Sequence, residues 1–187
     1  MVDIVDIESV FDNAFTNKFG FPKERPATKV KGYLLDNVKD FIRQSPMMVM
    51  ATSAADGSCD ASPKGGLPGF VKVLDDSPLL IPDVAGNNLF QSYINMSENA
   101  QIGIVFFIPG IRETVRVNGR VKLIDKEELE RLEIELEVNN PDDNSRVQQG
   151  IVVEIEEAYG HCPRALAFSK FWDTDQIEEN KNMPKRA

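Results

Sequence analysis

The sequence predicts a mainly β (α+β) fold: six or seven antiparallel strands, closed or partly closed into a small barrel, with helices at its periphery. Three observations predict it. Strand-length apolar or alternating runs recur at short spacing between residues 47 and 159. Glycine, proline and aspartate turns separate them, and helix-period patterns are confined to the flanks and to short insertions. At 187 residues, 42% hydrophobic and 27% charged, the chain suffices for one substantial core and is short for two.

Residues 1–20 read as a short amphipathic helix, since Ile7, Val10, Phe11, Phe15 and Phe19 recur near the 3.6 period. Gly20, Pro22 and Pro26 break that pattern and open a basic connecting segment over 21–32. A second helix runs from Asp36 to Arg43 with Asp36 or Asn37 as its cap. Ser45-Pro46 stops it, because the residue before proline is pushed out of helical geometry.

The β region follows. Met47 to Ser53 is a nearly unbroken apolar run, as expected of a strand buried on both faces. Ala55-Asp56-Gly57 is a hairpin turn. In the next strand, Ser58 to Lys64, Cys59, Ala61 and Pro63 alternate against Ser58, Asp60, Ser62 and Lys64. The glycine-rich loop 65–69 leads to a strand from Phe70 to Leu74, and Asp75-Asp76-Ser77 turns into another from Pro78 to Pro82. Gly86-Asn87-Asn88 opens a helix reaching about Met96. Strands Ala100–Ile108 and Glu113–Ile124 are joined at Pro109-Gly110. A helix over 126–138 carries Leu129, Leu132 and Leu136 on one face, a loop holds Pro141 to Asn144, and the last strand spans Ile151 to Tyr159. A short helix begins near Pro163, a residue suited to a first helical turn, and runs to about Trp172. Residues 1–44 are then an N-terminal helical segment and linker, 45–172 the barrel domain, and 173–187 a polar, frayed tail.

Composition narrows the function. No apolar run approaches the roughly 20 residues that span a bilayer. Met1 to Asp6 is acidic, without the basic flank or apolar core of a signal peptide, so a cytoplasmic location is expected. Cys59 and Cys162 read as free thiols, and with His161 the single histidine, a Cys/His zinc site lacks a fourth ligand. Any histidine-based nucleophile activation must run through His161. The net charge of −9 argues against general nucleic-acid binding. That charge is uneven: residues 125–187 hold 16 acidic and 8 basic residues, whereas 60–124 hold 6 of each.

Within that neutral stretch, alternation over Thr114 to Lys122 puts Val115, Val117, Gly119 and Val121 on one face. Thr114, Arg116, Asn118, Arg120 and Lys122 take the other. Such a face suits an anion, which arginine grips bidentately, or is a solvated surface whose cations pair with neighbouring acids. In Asp60 to Gly66, Ser62, Lys64 and the amides beyond them can cradle a phosphate, or simply end a hairpin. This is not a Walker loop, because the lysine precedes the glycines. Gly86-Asn87-Asn88 offers helix-start amides to an anion, or is a plain capping turn. Few side chains suit proton transfer, so a cofactor is expected to carry the chemistry. A phosphorylated flavin meets both needs.

Taken together in order, these pieces resemble the FMN-binding split barrel of the pyridoxamine 5'-phosphate oxidase-like superfamily, and more narrowly a bacterial branch of FMN-dependent enzymes. The matching runs are Met50-Ala51-Thr52, Asp56-Gly57, Asp60 to Gly65, Pro68 to Val71, Leu79 to Asp83, Gly86-Asn87, Ile108-Pro109-Gly110 and Glu113 to Arg120. His161 to Leu166 and Ser169 to Trp172 extend the likeness, which covers about 130 of the 187 residues. The resemblance implies a homodimer with two FMN molecules at the subunit interface. It places Ser62, Pro63, Lys64 and Gly65 along the flavin and its phosphate, and the backbone of Ile81 and Pro82 against the cofactor. Asn87 and Asn88 stand at the helix start that meets the phosphate. Thr114 and Arg116 follow the isoalloxazine or ribityl chain, with Ser169 and Trp172 contributed by the partner chain. Where the best-known oxidases have a basic pair, this chain has Asn87-Asn88, so Lys64, Arg116 or Arg120 must meet the phosphate charge. The pyridoxal-phosphate-binding residues of the true oxidase have no counterpart, and the superfamily also includes deazaflavin and haem binders.

The expected function is an FMN-dependent oxidoreductase passing electrons from a reduced nicotinamide-type donor to a small acceptor. Its rival is a non-catalytic flavin- or haem-binding module for storage, sensing or scavenging. No residue is nominated as an acid or base. His161 either sits near the flavin or caps and packs a helix, and Trp172 either stacks on an aromatic ligand or packs against Phe168 and Phe171. The glutamates over 127–137 are a solvated helix face, and Asp75-Asp76 and Asp142-Asp143 are turns.

Overall fold

The computed structural model describes residues 7–74, 78–85, 88–134, 136 and 146–184. Short helices α1 (Ile7–Val10), α2 (Ala14–Phe19) and α3 (Glu24–Thr28) lead to α4 (Asp36–Gln44). Strands β1 (Met47–Ser53), β2 (Cys59–Gly65), β3 (Lys72–Val73) and β4 (Leu79–Val84) follow, then α5 (Gln91–Glu98), β5 (Gln101–Phe107) and β6 (Thr114–Ile124). The chain ends through α6 (Lys126–Arg131), β7 (Val147–His161), α7 (Arg164–Phe168) and α8 (Thr174–Lys181).

All seven strands form one antiparallel sheet in the order β2-β1-β5-β6-β7-β4-β3. Neither end strand pairs with the other, so the barrel is split, with peripheral helices. Alternation sets what each face does. Met48 and Met50 of β1, Ile102, Ile104 and Phe106 of β5, and Val115 and Val117 of β6 point into one core, with Leu79, Ile81, Ile151 and Val153. Val38 and Ile42 of α4 close it. A second cluster on the other side of β4, around Leu80, Ile124 and Leu129, seats α6. Gly119 marks a bulge between β6 and β7, where a Cβ would stand 2.0 Å from the Glu154 carbonyl oxygen.

Several expectations need correction. The N-terminal pattern is two helices, interrupted where Asn13 caps α2 by accepting from the Phe15 and Thr16 amides. Phe15 and Phe19 are 75% and 74% exposed, since six residues make too little helix to press that stripe onto the sheet. Leu35, not Asp36 or Asn37, takes the N-cap position of α4. β1 alternates between buried and open positions because one of its faces has no layer above it. β3 is only two residues long. α5 starts at Gln91, later than expected, and α6 stops at Arg131, leaving Leu132 exposed. β7 is longer than expected at both ends. Pro163 stands one residue before α7, and the tail forms α8, which Asp173 caps at Gln176. Met1 to Asp6, Asp75 to Ser77, Gly86, Asn87, the loop around Pro141 to Asn144, and residues 185–187 lie outside the described residues.

Candidate functional site

Two places gather the residues singled out in the sequence. The first is a cavity of about 190 Å³ between β2, the end of β4 and the start of α5. On β2 the even-numbered residues share the inward face, since Ser62 and Lys64 lie opposite the buried Met50 and Met48. Ser62, Pro63, Lys64 and Asn88 all line the cavity. α5 is held over β1 and β2 by side chains: Asn95 Nδ2 donates to Thr52 Oγ1 at 3.1 Å, and Asn99 Nδ2 to Ser53 Oγ at 2.9 Å. Its approach is tight, with Asn88 and Phe90 both left-handed at φ 58° and 52°. Such backbone costs roughly 1–2 kcal/mol per non-glycine residue and is often kept where a ligand is held.

The chemistry of this cavity is more acidic than the sequence implied. Asp60 and Asp83 line it beside Lys64. Asp60 accepts from Ser92 Oγ, and Asp83 accepts from Gln149 Nε2 at 3.1 Å. The Tyr93 hydroxyl is buried without a hydrogen-bond partner among the described residues. Burial, then the Asp83 charge and the approach of the phenol to that carboxylate, which falls short of a well-formed hydrogen bond, hold this phenol far above its ordinary range, so it stays protonated.

The second place lies on the outward face of β6 and β7. Arg116 faces Tyr159 across the ladder and donates to its hydroxyl at 3.0 Å, with the guanidinium 5.8 Å from the ring centre. Lys29, arriving alongside β7, stands 4.7 Å from the same ring centre and donates to the Gly160 carbonyl at 3.3 Å. His161 pairs with Thr114 one step along, its ring 6.1 Å from that of Tyr159. Burial first, then Arg116 and Lys29, lower the His161 pKa. A cavity of about 550 Å³ opens here between the strand ends and α4, lined by Lys29, Thr114 and His161 among others.

The remaining candidates stand apart from both places. Gly65 ends β2, the Ile81 side chain is in the core, and Pro82 is half-buried on the face opposite Ile81. Asn87 lies outside the described residues. Ser169 is exposed and donates to the Leu166 carbonyl. Trp172 Nε1 donates to the Ile111 carbonyl at 2.9 Å, and its ring meets Phe171 edge-on at 4.7 Å. Lys64 and Arg116 lie on opposite faces of one sheet, so one chain alone cannot bring both to one phosphate. Sequence reasoning passed over Asp60, Asp83, Ser92 and Tyr93, although two of them sit inside the quoted runs. It also passed over Lys29, for which the basic segment 21–32 was the available signal.

The pyridoxamine 5'-phosphate oxidase family pattern matches residues 34–162, well over half of the chain and the whole sheet. The chain belongs to that family. Among solved structures, a Lactobacillus delbrueckii protein assigned to the pyridoxamine 5'-phosphate oxidases superposes with a TM-score of 0.53 at 20% identity, over 71% of this chain and 99% of that one. HupZ of Group A Streptococcus gives 0.50 at 17% identity, over 68% and 93%. At these identities the likeness is one of fold. No curated protein matches the chain in sequence. That likeness of fold fits the split sheet described above, and no helix among the described residues is long and apolar enough to cross a membrane.

Proposed function

We propose that this member of the pyridoxamine 5'-phosphate oxidase family is an FMN-dependent oxidoreductase that works as a cytoplasmic homodimer, with FMN in the seam between two copies. The observation that carries the reading is the division of the binding groups between the two faces of one sheet. The outward face of β1, β2 and β5 is also apolar: Met47, Val49, Ala51, Ala61, Pro63, Val105 and Phe107 share it in register. Antiparallel sheets normally turn a polar face to water, and an apolar patch of this kind marks an interface. A second copy both covers it and supplies the missing half of the site.

The inner cavity suits the cofactor. Lys64 and Ser62 offer a cation and a hydroxyl to a phosphate, and the orphaned Tyr93 hydroxyl lacks a partner that a polar ligand atom can provide. Asp83 can accept from a sugar-alcohol hydroxyl. Thr114, Arg116, Ser169 and Trp172 are assigned to the partner's side of the cofactor. When bound, FMN supplies hydride and electron transfer; the chain's own residues bind it, orient it and exclude water.

Purified protein is expected to be yellow, to bleach when reduced nicotinamide is added, and to gain thermal stability with FMN. Saturation at 100 times the Kd contributes about 2.7 kcal/mol. A colourless protein whose melting temperature ignores FMN overturns the reading. A coloured one that never turns over replaces the enzyme with the binding module.

A further inference from the structure

Placing Arg116 along the flavin still leaves unmet charge in the outward cluster on β6 and β7, because Lys29 has no part in that contact. Lys29 and Arg116 converge on one tyrosine ring, and neither enters an ion pair among the described residues. The contrast is local: Lys122, three rows along the same strand, pairs with Glu128 at 3.1 Å. Glu157, the nearest outward acid on β7, is bonded by Asn118 at 2.7 Å. Glu113 lines the adjoining cavity but is exposed and makes no ion pair among the described residues. Two half-buried cations on one ring repel each other, and the ring quadrupole repays only part of that cost. In a chain of net charge −9, two cations that make no ion pair among the described residues call for an anion from outside.

We infer that Lys29, Arg116 and His161, set around Tyr159 beside the 550 Å³ cavity that Lys29 and His161 line, form a binding site for the carboxylate or phosphate head group of a small substrate. Identifying that ligand as the substrate rests on the flavin reading; the anion site itself does not. Lys29 supplies a point charge, Arg116 the guanidinium edge left over from Tyr159, and His161 a ring nitrogen. Neutral imidazole donates one hydrogen bond without adding a third charge. The mostly apolar cavity beside them, with Val38, Phe41 and Pro26 in its wall, takes the body of the ligand.

The chain's single histidine makes the test clean. Imidazole NMR signals of His161 are followed while benzoate, phenyl phosphate and neutral benzamide are titrated, with and without saturating FMN. Both anions, or one, are expected to shift the signals saturably while benzamide does not; which anion binds tighter identifies the head group. Lys29→Ala is expected to weaken the anion about tenfold or more, and Lys29→Arg to restore most of it. The inference fails if no anion moves His161, if benzamide does as well, or if Lys29→Ala binds like wild type. It fails too if saturating FMN abolishes the shift, since the cations then belong to the cofactor. Anion shifts in protein that never retains FMN leave this site standing and remove the flavin reading instead.

Discussion

The cavity beneath α5 and the cluster around Tyr159 solve opposite electrostatic problems. In the cavity two carboxylates face one lysine, and each carboxylate already has a donor, Ser92 for Asp60 and Gln149 for Asp83. What is left over there is a hydroxyl, that of Tyr93. Around Tyr159 two cations make no ion pair among the described residues, and what is left over is charge. The two places also lie on opposite faces of the sheet. A cavity whose unmet need is a hydrogen bond fits the hydroxylated stretch of a ligand with its phosphate at Lys64. A cluster whose unmet need is a counter-charge fits an anion. The single phosphate on which both were expected to converge is therefore served by both only across two chains.

That dependence on a second copy gives the largest expected effect. Val49 lies mid-strand on the outward face, between Pro63 of β2 and Val105 of β5. If a partner covers this face, Val49→Asp buries an unpaired charge and weakens the dimer by about 3–5 kcal/mol. Sedimentation velocity should then show monomer, and flavin should be lost with it. A surface substitution with no partner changes stability by under about 0.5 kcal/mol, so an unchanged mass and an unchanged melt would break the comparison at its root.

Next comes the cavity's one cation. Lys64→Ala should weaken FMN by about 1.5–3 kcal/mol, the loss of a charge-assisted bond, read by fluorescence titration. Wild-type affinity in that variant would move the phosphate away from the cavity altogether.

Tyr93→Phe sharpens the contrast because its two effects have opposite signs. Removing a buried hydroxyl that makes no well-formed hydrogen bond among the described residues should raise the stability of the ligand-free protein by about 1 kcal/mol. The same change should lower the stabilisation that FMN confers, since the ligand loses a bond. Melting curves with and without FMN give both numbers. A ligand-free variant less stable than wild type would mean that the hydroxyl is already bonded in the folded chain.

Much of the fold was legible because it is local. An apolar run located β1 and alternation located the two faces of β6, while Ser45-Pro46 and Gly57 marked punctuation where the structure has it. The two faces of Thr114 to Lys122 were readable for the same reason. Helix ends were not: α5 waits for Gln91 because Asn88 and Phe90 take left-handed backbone that nothing in Asn87-Asn88 announces. The site was half legible. Ser62 and Lys64 could be paired by spacing, but the opposition of Lys64 and Arg116 depends on which strand flanks which. Lys29 and Gly160 meet across 131 residues of sequence, a contact that no periodicity can encode. Asp60 and Asp83 were visible yet unweighted, because only the fold brings them to one wall.

The smallest expected effect concerns His161 and tests whether the outward cluster really lacks an acid. Burial and the two cations depress its pKa below the ordinary value of about 6.5. A depressed folded-state pKa means the unfolded chain binds the proton more readily, so this histidine's contribution is present above pH 6.5. It is lost as the pH falls through the folded value. The imidazole signals of wild type should therefore titrate below 6.5, and in Lys29→Ala the midpoint should move back up, because one repelling charge has gone. Adding a bound anion should move it the same way, by screening both charges at once. A wild-type midpoint above 6.5 would place a carboxylate beside the ring, and the cluster would then be an internal ion-pair network, no different in kind from the acid-lined cavity on the other face.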